Sequence, residues 1–281
     1  MRCVAPWMRY NEEKHERQPT QCGSCGACLA NRRMEWSFRL KEEERHCNSA
    51  FFLTLTYRDG MIPVHKSGNY TLRKRDIQLY MKKLRKAVFG SKKGNWKYYV
   101  VGEYGSKTKR PHYHMILFNF PREKEELFQE KWRVKGIDIG MVHIGKVNSQ
   151  SIHYVTKYHV NYKNDVDPWQ ELRQKEFALM SKGIGEGYIK RVGEWHNRAK
   201  AMYVVNNGFK QRMPRYYKER LIDDQVKEEM LLDAIYEAEK AEENEISRLD
   251  MQGYIGKYEF ARRQMVEAKK IKKNAKRQDR I

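Results

Sequence analysis

Apolar residues recur along this chain with two different periods, which distinguishes helices from strands. Between lysines and arginines, four apolar residues recur every three or four positions: Ile77, Met81, Leu84 and Val88. This spacing predicts an amphipathic helix over Lys74–Phe89. Shorter apolar runs, rich in β-branched and aromatic residues, predict strands. These runs are Ser49–Tyr57, Lys97–Glu103 and His112–Phe118.

Weaker patterns fill the intervals between these elements. Helical spacing occurs at Met34–Glu44, Glu123–Trp132 and Ile152–Lys163, and a short strand is predicted near Met141–Val147. The resulting order is βα-ββ-αβα. It predicts an α+β fold with a central antiparallel sheet and helices packed on one face, the ferredoxin-like arrangement.

Cysteine and charge distribution divide the chain into four predicted segments: a Cys-rich segment at 1–48, a central domain at 49–165, an extension at 166–220 and a charged helical tail at 221–281. Ile222–Asp250 carries 11 Asp+Glu against 3 Lys+Arg, whereas the last 21 residues carry 9 Lys+Arg against 2 Asp+Glu. Such a dipolar end is typical of a solvated helix, and a contact with the core, with DNA or with a replication partner stays open. The glycine-rich Lys182–Gly187 lacks a βαβ context and is predicted to be a loop.

The composition indicates a nucleic-acid partner. Lys+Arg number 57 and Asp+Glu 36, a formal net charge of +21, and there are 18 tyrosines and 6 tryptophans. A basic surface attracts a polyanion through counterion release, and aromatic rings stack on unpaired bases. The chain shows no signal-peptide pattern, no apolar run near the ~18 residues of a membrane span and no GxxxxGK[ST] phosphate loop. We therefore expect no membrane insertion, no secretion and no fused helicase.

The cysteines are concentrated near the N-terminus, where four of the five occur: Cys3, Cys22, Cys25 and Cys28. A C-x₂-C-x₂-C run suits a tight metal site better than a disulfide framework, and Cys3 would supply the fourth thiolate. Structural zinc in a reducing compartment is the favoured interpretation. An iron–sulfur cluster or no metal stays open, and Cys47, preceded by His46, is the rival fourth ligand.

Two histidines in one strand form the most informative motif, RPHYHMILF at Arg110–Phe118. Alternate residues of a strand share a face, so His112 and His114 project together. The polar segment at 104–111 predicts a hairpin that places Glu103 opposite or nearly opposite His112. Two imidazoles and a carboxylate with open positions suit Mg²⁺ or Mn²⁺ acting as a Lewis acid on phosphate. The alternative is a pair of ordinary half-buried histidines.

The helix predicted at Ile152–Lys163 carries three tyrosines at i, i+4 spacing: Tyr154, Tyr158 and Tyr162. Tyr154 is angularly farthest from the apolar stripe and Tyr162 is nearest, so we expect Tyr162 to pack. A phenol of pKa about 10 is a poor nucleophile at neutral pH unless a cation or base assists it. Lys157, one turn from Tyr154, would assist it or stabilise charge on the phosphate. The alternative is that the tyrosine ridge only packs.

Taken in order, these motifs resemble those of the HUH endonucleases that initiate rolling-circle replication. The matching segments are FLTLTY at Phe52–Tyr57, GEYG at Gly102–Gly105, RPHYH at Arg110–His114 and YxxKY at Tyr154–Tyr158. The resemblance is strongest to the initiators of small single-stranded DNA bacteriophages of the microvirus type, especially the gokushovirus branch. It extends from Cys3 to about Tyr217, through CGSCGACL, MSKGIG and PRYYK.

The resemblance implies a metal-dependent transesterification on a single-stranded origin. Glu103, His112 and His114 would bind the metal, and Tyr154 and Tyr158 would attack the scissile phosphate in alternate turns. Each attack leaves a 5′-phosphotyrosine link and a free 3′-OH, and the strand is later rejoined without ATP. The implied fold is the HUH core at residues 49–165, the implied partners are host helicase and polymerase, and the implied location is the cytoplasm of a bacterial host.

Two other functions stay open at this point. One is a transposase or plasmid relaxase of the HUH class, which the paired tyrosines and the cysteine cluster disfavour. The other is a non-enzymatic zinc-knuckle protein that binds nucleic acid, in which the histidines and tyrosines merely pack. A covalent protein–DNA adduct would exclude the second.

Overall fold

A computed structural model of the chain describes residues 3, 6–12, 15–90, 94–158, 173–206 and 208–266, without the side chains at positions 11, 18, 19, 158, 231, 234, 235 and 238. The chain forms two compact units. One comprises Trp36–Tyr188, and the other combines Met1–Glu35 with Ile189–Ile281.

The elements follow one another along the chain as β1 (Trp7–Asn11), β2 (Glu16–Thr20), α1 (Gly26–His46), β3 (Ala50–Thr56), α2 (Lys74–Phe89), β4 (Lys97–Tyr104), β5 (Pro111–Phe118), a 3-10 turn (Arg122–Lys124), α3 (Glu126–Glu130), β6 (Arg133–Val134), β7 (Ile137–Asp138), β8 (Val142–Lys146), α4 (Ser149–Tyr158), β9 (Phe177–Met180), α5 (Gly187–Arg198), β10 (Tyr203–Asn206), β11 (Phe209–Arg212), α6 (Arg215–Leu221) and α7 (Asp224–Met251).

A five-stranded antiparallel sheet organises the unit at Trp36–Tyr188. Its strand order is β8-β3-β5-β4-β9, so that β5 is the central strand. Residues 113–118 of β5 are all buried. A strand buried on both faces reads as a continuous apolar run rather than an alternating one, which explains the sequence Met115–Phe118.

The first face of the sheet packs against α2. The helix buries the stripe that its sequence predicts, with Ile77, Tyr80 and Leu84 almost fully buried. They join the inward-facing residues of β3 and β5 in one apolar cluster, which includes Leu55 and Met115. The predicted bounds of this helix, Lys74–Phe89, are confirmed.

The second face of the sheet packs against α1 and α4. Leu40 of α1 and Ile152 and Val155 of α4 form a second apolar cluster with buried residues of β4 and β5. Helices therefore cover both faces, and the predicted one-sided packing is wrong. The physical reason lies in β5, because a strand that is apolar at consecutive positions needs cover on each side.

The second unit contains two separate hairpins, β1–β2 and β10–β11. Its buried apolar residues include Val204, Tyr217, Leu221 and Leu249. His196 is fully buried, and its Nδ1 lies 2.8 Å from the carbonyl oxygen of Ala201, an acceptor, so Nδ1–H donates. The acidic segment predicted to be helical forms the 28-residue α7.

The α+β fold with a central antiparallel sheet is confirmed. The four predicted strands correspond to β3, β4, β5 and β8, and Lys182–Gly187 forms turns up to the start of α5. The β1–β2 hairpin and β9 were not predicted. The tyrosine helix begins at Ser149 and is described as far as Tyr158, so that positions 159–163 of the predicted helix lie outside the described residues. In the described ranges, no helix has both the length and the apolar character needed to cross a membrane.

Candidate active site

The β4–β5 hairpin brings the carboxylate and the two imidazoles together. Glu103 and His112 are direct cross-strand partners, as the predicted hairpin register requires, and His114 pairs with Val101. Because cross-strand partners share a face, all three side chains lie on the face that packs against α4. Glu103 and His114 are buried, whereas His112 is half-buried.

One carboxylate oxygen of Glu103 contacts both imidazoles. Its Oε1 lies 2.5 Å from Nε2 of His112 and 3.1 Å from Nε2 of His114. One potential ligand atom from each residue can be chosen so that all three lie within 4.8 Å of one another. The three side chains are therefore placed as ligands of a single cation would be, a geometry compatible with metal binding.

Each histidine is held in place through its other ring nitrogen. Nδ1 of His112 lies 3.1 Å from the carbonyl oxygen of Arg110, and because a carbonyl only accepts, Nδ1–H donates. Nδ1 of His114 lies 3.0 Å from the hydroxyl of Thr54, and Phe52 stacks on the same ring at 5.6 Å between centroids. Outer partners of this kind fix the ring orientation of metal-binding histidines.

Electrostatics favours a charged carboxylate at this position. Burial alone would raise the pKa of Glu103, but hydrogen bonds from His112 and His114 outweigh it and lower that pKa to about 2. Burial acts to lower the pKa of His112, and the bond to Glu103 overcomes this and raises it. The second carboxylate oxygen, Oε2, is buried and has no hydrogen-bond partner among the described residues. An orphaned carboxylate oxygen beside two imidazoles fits a bound cation.

Helix α4 brings a phenol to the same place. Asn148 and Ser151 cap its start, since the Ser151 amide donates to Oδ1 of Asn148 and the Asn148 amide donates to Oγ of Ser151, both at 2.8 Å. The Tyr154 hydroxyl then lies 3.1 Å from Oε1 of Glu103 and 3.4 Å from Nε2 of His114. Its ring meets the His114 imidazole edge-on, and 38% of the residue remains exposed.

The other predicted residues of this helix are placed less completely. Lys157 is half-buried in the last turn of α4, three residues after Tyr154. Tyr158 is the final residue of α4 by its backbone, and its side chain is outside the described part of the chain. Tyr162 and His159 also lie outside the described residues.

The N-terminal cysteines form a second candidate metal site. Cys3, Cys22, Cys25 and Cys28 each offer a sulfur, and the four sulfurs lie within 4.8 Å of one another. The Cys22–Cys28 and Cys3–Cys25 sulfur distances are 3.9 and 3.8 Å, too long for disulfides. Zn–S bonds of about 2.3 Å in a tetrahedron put sulfurs about 3.8 Å apart, so this set is compatible with a bound metal.

Backbone amides support the cysteine site. The amide of Cys22 donates to the Cys3 sulfur at 3.4 Å, and the amide of Cys25 donates to the Cys22 sulfur at 3.3 Å. Burial acts to raise the pKa of Cys22, but hydrogen bonds from Ser24 and Cys25 lower it to about 6. The rival ligand Cys47 is outside the cluster, because its thiol donates to the carbonyl of Glu44 and the residue packs on the second apolar cluster.

Sequence reasoning missed two supporting residues of the histidine site. Thr54 and Phe52 belong to the FLTLTY strand and contact His114 from β3. A signal was present, since the strand has polar threonines at alternate positions, Thr54 and Thr56, where an entirely buried strand would be apolar. It could be interpreted only once the pairing of β3 with β5 was known.

Comparisons with known proteins agree with this site. Residues 50–163, which contain the histidine site and Tyr154, match the model of a family of replication-associated proteins typified by ORF2. Replication-associated protein VP4 of Bdellovibrio phage phiMH2K is 30% identical over 215 residues, which cover 70% of this chain and 66% of that protein. No solved structure matches the chain.

Two further relatives have similar names and coverage. Replication-associated protein ORF2 of Spiroplasma virus 4 is 29% identical over 235 residues, covering 77% of this chain and 71% of that protein. Replication-associated protein ORF4 of Chlamydia phage 1 is 27% identical over 238 residues, covering 75% and 56%. The chain thus spans between about half and about three quarters of the length of these relatives. It belongs to the family of bacteriophage replication-associated proteins of the microvirus type, as its motifs predicted.

Proposed function

We propose that this chain initiates rolling-circle replication by nicking single-stranded origin DNA through a tyrosine ester. The observation that carries the proposal is the position of the Tyr154 hydroxyl, 3.1 Å from Glu103 and 3.4 Å from His114. A phenol placed at a cluster of two imidazoles and a carboxylate is suited to phosphoryl transfer, because the nucleophile and the phosphate-activating groups meet at one point.

The protein side of the reaction follows from these contacts. Glu103, His112 and His114 would hold Mg²⁺ or Mn²⁺, which supplies Lewis-acid polarisation of the scissile phosphate. The Tyr154 oxygen attacks phosphorus and loses its proton, the bond from phosphorus to the 3′ oxygen breaks, and that oxygen takes up a proton to become the free 3′-OH. Lys157, one helical turn away, would stabilise the negative charge that develops on the phenol oxygen or phosphate.

A second tyrosine would complete the cycle. Tyr158 follows Tyr154 by four residues on α4, about 6 Å along the helix axis. Attack by one tyrosine on the regenerated origin would leave the other linked to the displaced strand, whose ester is then resolved by the new 3′-OH. The ester conserves the energy of the cleaved bond, so that rejoining requires no ATP. Host helicase and polymerase in the bacterial cytoplasm would supply unwinding and synthesis.

The proposed role of the cysteine site is structural. We propose that Cys3, Cys22, Cys25 and Cys28 bind one zinc ion, since four thiolates close the coordination sphere and leave no position for substrate. The sulfur separations of 3.8 and 3.9 Å support this donor geometry. The ion would fix the N-terminal segment to the start of α1, where Cys28 lies.

The decisive experiment is a search for a covalent adduct. Single-stranded oligonucleotides that tile the genome carrying this gene are incubated with the protein and Mn²⁺, and then boiled in detergent. A protein band that retains labelled DNA supports the proposal and excludes the binding-only function. No retained band with any oligonucleotide would reject nicking through a tyrosine. A nick at a viral origin, rather than at a transposon end or a transfer origin, separates the replication initiator from a transposase or relaxase.

A further inference from the structure

The sheet face that carries the candidate metal site continues beyond it onto β3 and β8. Thr54 of β3 pairs with His114 on one side and with His143 of β8 on the other. Cross-strand partners share a face, so these three residues form a row across three strands. Neighbouring strands are about 4.8 Å apart, which puts the Cα atom of His143 about 10 Å from that of His114.

A second row lies parallel to the first. Thr56 pairs with His112, and its amide donates to the carbonyl oxygen of Met141 at 2.9 Å. Met141 precedes His143 by two residues, so alternation places it on the same face. A Cβ on the preceding Gly140 would lie 1.8 Å from the Thr56 carbonyl oxygen. Glycine at this position therefore permits the close approach that sets Met141 beside Thr56.

This part of the sheet face is accessible. Helices α1 and α4 pack on β4 and β5, whereas Met141 is 74% exposed and His143 is also exposed. A strongly exposed methionine and an exposed imidazole thus stand side by side, next to the row that contains the candidate metal ligands. The position, rather than the general basic charge of the chain, makes these two residues candidates for a specific contact.

We infer that Met141 and His143 bind the nucleotide that adjoins the scissile phosphate of the single-stranded DNA substrate. The inference rests on the proposed function. A ring N–H of His143 can donate to a phosphate oxygen, and the polarisable thioether of Met141 can lie against the face of an unpaired base. Neither contact reads a particular base, so the subsite would position the strand rather than select its sequence.

A peptide is the competing occupant, because β8 is an outer strand of the sheet. A peptide would add to the free edge of β8 through backbone hydrogen bonds, for which the imidazole of His143 is dispensable. Sensitivity of DNA binding to the side chains of Met141 and His143 therefore distinguishes the two occupants.

The first test is binding, which does not depend on cleavage. The affinity of the full chain for a fluorescent oligodeoxythymidylate of about 15 nucleotides is measured by anisotropy. His143→Ala and Met141→Ala should each weaken binding by about five- to tenfold. The matched control is Ile144→Ala, since Ile144 is 39% exposed on the same strand and points to the opposite face. Equal affinities of all three variants and the wild type would overturn the inference.

The second test locates the subsite relative to the cut. An oligonucleotide that the wild-type protein nicks is rebuilt with one abasic position at a time. We expect one position next to the cut to raise KM for the wild type and to have no further effect on Met141→Ala, because both changes remove the same contact. Additive effects at every position would overturn the placement. Failure of the wild type to nick any oligonucleotide would reject the proposed function, while the binding test would still decide the inference.

Discussion

Glu103 and His112 face each other across the β4–β5 hairpin, with Oε1 and Nε2 separated by 2.5 Å. The two strands are joined by the short segment at 105–110, and pairing begins directly beyond it. The relative position of carboxylate and imidazole is thus determined within one local stretch of chain. Tyr154, by contrast, reaches the same carboxylate from a helix 51 residues away.

Loss of a metal ligand should abolish nicking while leaving DNA binding largely intact. We expect His112→Ala, His114→Ala and Glu103→Gln each to reduce the nicking rate by about a thousandfold or more, because polarisation of the phosphate is worth several kcal/mol. Affinity for single-stranded DNA should change little, since it comes from dispersed phosphate contacts. Gel assays of nicking and anisotropy measure the two effects, with the exposed Glu130→Gln as control. Near-normal nicking by either histidine variant would contradict the metal assignment.

Removing phenol oxygens should separate the two proposed nucleophiles. Tyr154→Phe and Tyr158→Phe should each retain some adduct formation but fail at complete cycles of cleavage and rejoining, and the double variant should form no adduct. Loss of a hydroxyl leaves ring packing nearly unchanged, so that misfolding does not explain lost activity. Mass spectrometry of the digested adduct identifies the linked residue directly.

Two controls accompany the tyrosine variants. Tyr162→Phe should behave as the wild type, as should Tyr70→Phe, whose ring is 43% exposed in a loop. Lys157→Met should slow attack in both single-tyrosine backgrounds, since it lies within one turn of each tyrosine. A double Tyr154/Tyr158 variant that still links to DNA would place the nucleophile elsewhere in the chain.

Metal analysis should distinguish the two cysteine positions. The purified chain should contain about one zinc ion, and Cys25→Ser should lose it together with thermal stability, because binding energy of a structural ion is folding energy. Cys47→Ser should keep the ion, since Cys47 is outside the four-sulfur cluster. Plasma mass spectrometry and thermal melts measure both effects. Zinc-free protein, or brown protein that contains iron, would contradict the zinc assignment.

A buried tyrosine–aspartate bond should give stability a distinct pH dependence. The Tyr57 hydroxyl donates to Oδ2 of Asp76 at 2.8 Å, and burial raises the pKa of Asp76 despite this bond. A raised carboxyl pKa means that the contribution of Asp76 to stability is full below its ordinary pKa of about 4 and is lost as the pH rises through the folded value. Tyr57→Phe raises that value further. It should destabilise the fold by about 2 kcal/mol at pH 7 and by about 1 kcal/mol near pH 4.

Urea unfolding at the two pH values tests this expectation. The matched control is Tyr80→Phe, which also removes a buried hydroxyl but one that donates to the neutral carbonyl of Phe128 at 3.1 Å. Its destabilisation should be the same at both pH values. A Tyr57→Phe effect that is equal at both pH values, or larger at the acidic one, would contradict the sign derived for Asp76.

The parts of the site that are local in sequence could be predicted from it. Strand alternation set His112 and His114 on one face, and the hairpin placed Glu103 opposite His112. The capping residues Asn148 and Ser151 marked the start of the tyrosine helix. Each of these relationships depends on a few neighbouring residues, for which periodicity and turn chemistry are sufficient information.

The remaining features depend on contacts between distant segments. The contact of Thr54 with His114 joins residues 60 positions apart, and it follows from the pairing of β3 with β5, which no local pattern specifies. The same is true of α1, whose Leu40 covers the second face of the sheet. Its short predicted form, Met34–Glu44, showed no strong apolar stripe, so that neither its full length nor its packing face could be derived.

The short segment at 105–110 imposes a constraint on how this chain can change through evolution. A single inserted or deleted residue there that shifted β5 by one position would exchange the two faces of the strand. Tyr113, whose hydroxyl is bonded to Tyr57 on the α2 side, would then occupy the place of His114, and His114 would enter the core. Viable descendants are therefore expected to vary freely in the composition of this loop but not in its parity, and an alignment of many descendants should show gaps there only in pairs.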